Sequence, residues 1–518
     1  MHGFADMRGG RTVGMTLALW VVLASAAIGR DDEQAVAAPE ELPTYPALPG
    51  EVRRAPAWIG EHTPFDVDRF FAAPPRDQNA APLYLDALFE FGAEMPSCFP
   101  ATEERKRRVK EVKDRNGPFV ALFQAMDQAP GTISGEMIDG AVAPYEEGFR
   151  KLALAQRRRH CVFQTGLGIS ALLPHAQTAR QVARVAQLRV RRALDRGDFP
   201  AAIRDVETTL RLARDLQPRG YMINQLVTIA MEIVVIKEMI LPILAAPGLK
   251  PEHCDRLLVA LADDEGLAVD AYAEGLRGEY LTVRVTIEDL VHHQDKIAKE
   301  LGVEPGGSIL SKLAADMTVF SKLSGPGGGA GQPGIAPPLF PKLRNKMIEA
   351  GLARMTDGEL AAEVAHLNAF YRALFDLGRV PVAERLRRLP EAKEFFGDEP
   401  LDRIIVELSP TTAAFTQAVG RQVAHLHAVD CLIALRRWQL GHDAPPPDLL
   451  TAVKAAGMPA PPVDPYDGKP MRMALVEGEP VVYSIGKDGV DDGGLIDSRH
   501  DSRPGDQLLK LLPPKPAP

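Results

Sequence analysis

Apolar residues recur every three or four positions along most of this chain, from Asn79 to about Leu440. This spacing matches the period of an α-helix, and helix-forming residues fill the positions between. We therefore predict a mainly α protein with a multi-helix body at residues 79–409. The chain has 518 residues, 46% of them hydrophobic and 25% charged, so it is long enough to bury a large core.

The clearest helical hairpin is predicted at residues 178–216, where Gly197-Asp198-Phe199-Pro200 separates two periodic segments. Four apolar residues share one face of its second helix: Ile203, Val206, Leu210 and Ala213. The hairpin resembles a single helical pair of the tetratricopeptide type, and an ordinary helical hairpin is the alternative. No second copy occurs at a fixed period, so the sequence does not predict an extended repeat array.

Composition predicts the segments outside the helices. Residues 1–28 carry two arginines and then a mostly apolar run with small residues, which indicates an export signal or an N-terminal membrane anchor. Residues 29–78 are rich in Pro, Ala and acidic residues and are predicted to be a linker. The Gly/Pro-rich residues 324–341 are predicted to form a flexible loop, and residues 501–518 a disordered tail.

Net charge and cysteine spacing exclude some functions. A net charge of −9 and a pI near 5.8 argue against a dedicated nucleic-acid binder, which needs a basic face. The four cysteines, Cys98, Cys161, Cys254 and Cys431, form no CxxC pair, which disfavours a zinc ribbon or a thioredoxin-like site. Free buried thiols are the default expectation, and in an exported protein the three disulfide connectivities of four cysteines stay open.

The last hundred residues differ from the body. A predicted helix runs from about Pro410 to Leu440 and ends at Gly441. Residues 464–497 then combine two turn signals, two short strand-like runs and a cluster of carboxylates. The sequence therefore predicts a small α+β domain at residues 410–500.

Four ordered motifs in this domain resemble the globular head of the major pseudopilin of type II secretion systems. They are AVDCLIALRRWQLGH at a helix end, PPPDLL at its exit, VDPYDGKPMRM at an Asp-Pro-aromatic-Gly turn, and VVYSIGKDGVDDGG at a Tyr-Ser-x-Gly-x-Asp-Gly loop. Their order and spacing agree with that family. The whole chain also resembles large exported bacterial proteins that join a helical body to such a tail, a resemblance that implies no activity.

The pseudopilin resemblance implies a structural calcium ion in the last loop. Carried over by position, the Ile485 carbonyl and the Asp488 carboxylate match the family's ligands best, followed by Asp492 and Asp497. Calcium takes about six to eight hard oxygen ligands at flexible geometry, which suits such a carboxylate-rich loop. A plain turn with solvated carboxylates is the alternative.

The N-terminus departs from the pseudopilin pattern. Gly14-Met15-Thr16-Leu17 resembles the start of the processed helix, but Leu19 stands where that family has a glutamate that sets subunit register. Nearly the whole helical body also separates this segment from the tail. These departures indicate that the head has been reused as a terminal module.

Patterns for catalysis are sparse in the body. Glu288 and His292, at i and i+4, share a helix face and could hold a metal, but no HExxH motif accompanies them, and an exposed polar face is the alternative. His160 beside Cys161 has no third residue to orient it as a nucleophile pair. The sequence contains no P-loop or GxSxG elbow.

These patterns together predict a non-enzymatic exported envelope protein. Its helical body would contact protein partners, and its calcium-clipped tail would link it to secretion or surface machinery. An envelope hydrolase with a site between body helices is the alternative, and membership of a secretion apparatus is a third reading. We expect no nucleic-acid partner, and membrane contact only through an uncleaved N-terminal segment.

Overall fold

The structure, a computed structural model, describes most of the helical body and the tail. Described are residues 62–72, 74–92, 133–163, 174–267, 269–300, 302–304, 307–312, 348–389, 394–396, 412–476, 479–494 and 507–510, with scattered positions from 103 to 125. The predicted export signal at 1–28, the predicted loop at 324–341, Cys98 and Asp497 lie outside these residues.

Helices dominate the described residues, which confirms the prediction of a mainly α protein. In the first half they are α1 (Val67–Phe71), α2 (Ala81–Phe89), α3 (Gly135–Val142), α4 (Glu146–Ala155), α5 (Pro174–Asp195), α6 (Phe199–Asp215), α7 (Met222–Val234), α8 (Leu241–Ala245) and α9 (Pro251–Leu267). In the second half they are α10 (Ala271–His292), α11 (Gln294–Glu300), α12 (Asp357–Leu377), α13 (Val382–Arg387), α14 (Thr412–Gly441) and α15 (Leu449–Ala455). None of the described helices has both the length and the apolar character that a membrane span needs.

The hairpin predicted at residues 178–216 is formed by α5 and α6, which pack against each other. Gly197 takes a φ of 69° at the turn, a conformation that glycine adopts without a Cβ penalty. The Asp198 carboxylate then accepts a hydrogen bond from the Ala201 amide at 3.0 Å and caps α6. Pro200 occupies the first turn, where its missing amide hydrogen costs nothing.

Further helices pack on this hairpin. The chain continues through α7 and α8, joined by a π-helical segment at Val235–Ile240, and then α9. Helix α5 packs on α7, α6 packs on α9, and α14 packs on both α7 and α9.

The π-helical segment has a local cause. Pro242 follows it in α8, and a proline in a regular helix lacks the amide hydrogen for the carbonyl four residues earlier and clashes with it. Widening the preceding turn relieves that clash. The run from Tyr221 to Leu244 is thus a distorted but continuous helical element with a largely buried surface.

Two large apolar clusters form the core. The first contains residues of helices α2 through α9, of α14 and of α15. The second contains residues of α10, of α12 and of the start of α14. Part of the predicted linker at 29–78 belongs to the second cluster: Val67 is buried, and the Phe65 ring lies 5.6 Å from that of Tyr280 and 5.8 Å from that of Phe375. Aromatic burial therefore fixes residues 62–72 on the body.

The tail contains an antiparallel sheet of three described strands in the order β1 (Arg472–Val476), β2 (Glu479–Ser484), β3 (Gln507–Lys510). Helix α14 packs on β2 and β3, and Met471 and Val482 join the first apolar cluster. The third strand lies within residues 501–518, where composition predicted disorder. It pairs with β2 in antiparallel register, with Leu508 opposite Tyr483 and Leu509 opposite Val482.

Candidate functional site

The Asp464 carboxylate is the centre of the turn that the sequence marks with Asp-Pro-Tyr-Asp-Gly. It is fully buried and accepts four hydrogen bonds. One oxygen accepts from the Tyr466 amide at 2.9 Å and the Ser484 hydroxyl at 2.8 Å, and the other from the Ile485 amide and an Arg472 nitrogen, both at 3.0 Å. Since every lone-pair direction is used, the turn is fixed to the end of β2.

Arg472, the first residue of β1, binds three carboxylates at once. Its guanidinium contacts Asp464 and Asp467 through its two terminal nitrogens, and Asp491 through Nε at 3.0 Å. The planar fork of arginine suits such multiple pairing. Asp491 also accepts from the Gly493 amide, which with Tyr483 and Arg472 holds the pKa of Asp491 below its usual value.

The same turn docks onto the helical body. The Pro465 carbonyl accepts a hydrogen bond from the Val382 amide at 2.8 Å, at the start of α13. The Tyr466 ring lies in a small apolar cluster with residues of α13 and α14. A Cβ on Gly420 of α14 would lie 2.7 Å from Val382 Cγ1 and 3.2 Å from Tyr466 Cζ, so only glycine leaves room for this contact.

The structure brings two of the predicted calcium ligands, Ile485 and Asp488, into one loop directly after β2. Ile485 is buried and its amide is held by Asp464, whereas Asp488 is exposed and its carboxylate accepts from the Val490 amide at 3.2 Å. Asp492 is exposed on the same loop, and Asp497 lies outside the described residues. Four glycines give the loop its curvature with positive φ angles: Gly486, Gly489, Gly493 and Gly494.

The donor chemistry of this loop fits calcium, because a carbonyl and carboxylates are the hard oxygens that this ion prefers. Asp491, which the sequence groups with these acids, is already bound to Arg472 and Tyr483. Within the described part of the chain, no group of three or more acidic, histidine or cysteine side chains is arranged to hold a metal. Calcium binding stays a prediction, because the described part of the loop ends at residue 494 and the predicted ligand Asp497 lies beyond it.

The predicted pair in the body, Glu288 and His292, does share one face of α10. His292 Nε2 lies 3.7 Å from Glu288 Oε1 and 3.6 Å from Asp357 Oδ1 of α12. Glu288 also accepts a hydrogen bond from Arg284 at 2.8 Å. The pair therefore forms part of a polar contact between α10 and α12.

Three of the four cysteines lie among the described residues, and burial governs their chemistry. Cys161, Cys254 and Cys431 are free and buried. Burial raises the pKa of Cys161 well above its usual value and that of Cys254 to about 12, so both thiols stay protonated at neutral pH. His160 pairs through its backbone with Asn79 and leaves Cys161 as a core residue.

Comparison of the chain with protein-family models, with curated proteins and with solved structures found no match. Its function must therefore be inferred from its own residues and contacts. The features that stand out are the α5–α6 hairpin with the helices packed on it and the Asp464 turn with its glycine-rich loop.

Proposed function

We propose that this chain is a non-enzymatic protein of the cell envelope whose helical body binds other proteins. The observation that carries the proposal is the packing of further helices on the α5–α6 hairpin, with α7 on α5 and α9 on α6. The hairpin resembles a single helical pair of the tetratricopeptide type, and proteins built from such pairs present extended surfaces to partner proteins. Ion pairs link neighbouring helices here, including Arg256 to Glu207 and Arg189 to Asp205, and they keep that surface rigid.

We propose in addition that the tail is a pseudopilin-like module that attaches the body to secretion or surface machinery. Support comes from the four sequence motifs, which fall on the end of α14, on the exit to α15, on the Asp464 turn and on the loop after β2. The helix and the antiparallel sheet on which it packs form an α+β unit of the kind that the resemblance implies.

Calcium would serve this module as a structural clip. Ile485, Asp488, Asp492 and Asp497 would hold it, and the ion would tie the end of β2 to the loop that follows. Arg472 already fixes the base of that loop through Asp491, so the ion would order its exposed tip.

The calcium proposal is tested on the full chain by thermal unfolding with calcium and with EDTA. We expect a higher melting temperature with calcium, since an ion that binds only the folded state stabilises it. Asp488→Ala should abolish this difference, whereas Asp443→Ala, which removes an exposed carboxylate outside the loop, should preserve it. Equal melting temperatures of the wild-type chain in calcium and EDTA would reject calcium binding.

The proposed location and partner binding are tested in the native cell. The mature protein should be recovered from the envelope fraction with a new N-terminus near Ala26 or with its apolar segment held in the membrane. Cross-linking of the tagged full chain should join a defined partner to α5, α6, α7 or α9. Recovery of the intact chain from the cytoplasm, or cross-links that avoid these helices, would contradict the proposal.

A further inference from the structure

One face of α5 carries three arginines without carboxylate partners. Arg180, Arg184 and Arg191 are spaced by four and seven residues, so they lie in a row along the helix. Among the described residues, none of the three forms an ion pair. Burial and the neighbouring Arg184 charge lower the pKa of Arg180, as expected for cations that repel each other.

Arginines on the opposite side of α5 form ion pairs with carboxylates of neighbouring helices. Arg189 binds Asp205 on α6, with its Nε 3.0 Å from the carboxylate, and Arg192 and Arg196 bind Asp139 on α3. Those pairs hold helices together. The row at Arg180 has no such structural role, and like charges along one helix face weakly destabilise it.

The row continues onto two neighbouring elements. Gln187, in the same row, donates a hydrogen bond to Glu238 of the π-helical segment at 3.3 Å, which places the adjacent exposed Lys237 beside α5. Burial and then the charges of Lys237 and Arg421 lower the pKa of His425 on α14 to about 4, so both cations lie near that ring. We name this surface the basic strip: Arg180, Arg184, Arg191, Lys237 and Arg421.

We infer that the basic strip binds an acidic segment of a partner protein. The inference rests on the proposed function, because it names the partner class of the helical body. Arg180 and Arg191 are about 16 Å apart along the helix axis, which suits a linear segment with several carboxylates. Guanidinium groups bind carboxylates through two parallel hydrogen bonds, and three of the five cations are arginines on one helix.

The charge of the basic strip is opposite to the net charge of the chain, which is −9. Glu238 is an acidic residue next to Lys237 of the strip, and its carboxylate accepts a hydrogen bond from Gln187. A local basic surface on an acidic protein directs an acidic partner to one place and fixes its orientation.

The test uses the full chain and fluorescein-labelled deca-glutamate, with deca-glutamine as the neutral probe, in a fluorescence anisotropy titration. We expect deca-glutamate to bind, more weakly as salt is added, and deca-glutamine not to bind. The triple variant Arg180→Gln, Arg184→Gln, Arg191→Gln should bind deca-glutamate about tenfold more weakly. A matched variant removes three exposed arginines outside the strip and should bind like the wild type: Arg157→Gln, Arg159→Gln and Arg354→Gln.

Equal weakening in the two triple variants, or no binding of deca-glutamate by the wild-type chain, would overturn the inference. Circular dichroism should show that both variants fold, since the changed side chains are exposed or partly exposed. Phosphatidylserine vesicles and duplex DNA serve as competing probes, and strip-dependent binding of either without binding of deca-glutamate would also overturn it. If a partner is cross-linked to α6 or α9 alone, the inference about the basic strip is overturned and the proposed function is unaffected.

Discussion

Arg472 connects three segments of the tail, namely β1, in which it lies, the turn before β1 and the loop after β2. It joins the turn at Asp464 and Asp467 to the loop at Asp491, and its side chain is 16% exposed. Asp464 is fully buried, so its charge depends on this guanidinium and on three neutral donors. A buried carboxylate that loses its cation becomes costly to the folded state.

Arg472→Met should destabilise the full chain by about 3 kcal/mol, because it leaves the Asp464 charge buried without its counter-charge. Urea unfolding followed by circular dichroism measures the change. Lys469→Met is the control: Lys469 is exposed and lies 3.9 Å from Asp467, so its loss should cost less than about 1 kcal/mol. Similar small losses in the two variants would show that Asp464 does not need the arginine.

His175 makes a second buried polar contact, at the start of α5. Its ring stacks on Phe163 at 4.4 Å, and its Nε2 lies 3.2 Å from the Asn224 side-chain nitrogen, so the ring accepts that amide proton. Burial lowers the pKa of His175 to about 4. The folded state therefore holds a neutral ring where the unfolded chain holds an ordinary histidine.

The lowered pKa of His175 makes the folded chain less stable as the pH falls. The unfolded state binds the proton first as pH falls, so the contribution of His175 is fully present above about pH 6.5 and is lost on approach to pH 4. The loss amounts to about 3 kcal/mol. Urea unfolding at several pH values should show a smaller acid loss for His175→Gln than for the wild type. His366→Gln, at an exposed histidine, should keep the wild-type profile.

The sequence predicts contacts at the residue scale only where they are local. Asp198 caps α6 three residues away, and its position between glycine and proline is visible in the sequence. The bond from Ile485 to Asp464 spans 21 residues and depends on the register of β1 and β2, which no local pattern defines. The predicted ligand loop was thus recognisable by its motif, whereas the arginine that fixes it was not.

Helix α10 has a notch that receives the turn between α6 and α7. A Cβ on Gly278 would lie 2.7 Å from the Gly220 carbonyl oxygen and 2.8 Å from the Tyr221 Cα. The Arg219 amide donates to Glu274 of the same helix at 2.8 Å, which holds the turn in place. The close approach is between two backbones, so neither side can move aside easily.

Gly278→Ala should destabilise the chain by about 1–3 kcal/mol, because the added methyl group meets backbone atoms on the facing turn. Gly140→Ala in α3 is the matched control, since a Cβ there has nothing within 4 Å. Alanine is the better helix former, so the control should gain about 0.5–1 kcal/mol. Denaturant midpoints measure both, and a stabilising Gly278→Ala would contradict the packing of the turn on α10.

Helix α14 joins the body to the tail. It donates from Gln422 to Glu232 on α7, pairs Arg437 with Asp255 on α9, and packs on β2 and β3. Periodicity predicted this helix, and the sequence predicts that the tail domain begins with it at residue 410. A sequence pattern shows which residues are apolar, but it does not show which elements cover them. Its buried residues face several directions, as expected for a helix between two layers.

A shared core should make body and tail unfold together. Trp438 reports on the exit from α14, since its indole donates to the Ala444 carbonyl at 2.9 Å. In a Trp20→Phe, Trp58→Phe variant, the Trp438 fluorescence transition in urea should coincide with the far-UV circular dichroism transition. A fluorescence transition at distinctly lower urea would show that the tail unfolds independently.

The position of α14 in the chain also affects when folding can finish. Its partners Glu232 and Asp255 are 190 and 182 residues upstream, so the core around α7 and α9 stays open until the last fifth of the chain has been made. Contacts of such long range form slowly and late. For the export that we propose, late completion of this core would leave the chain unfolded while it crosses a translocation pore.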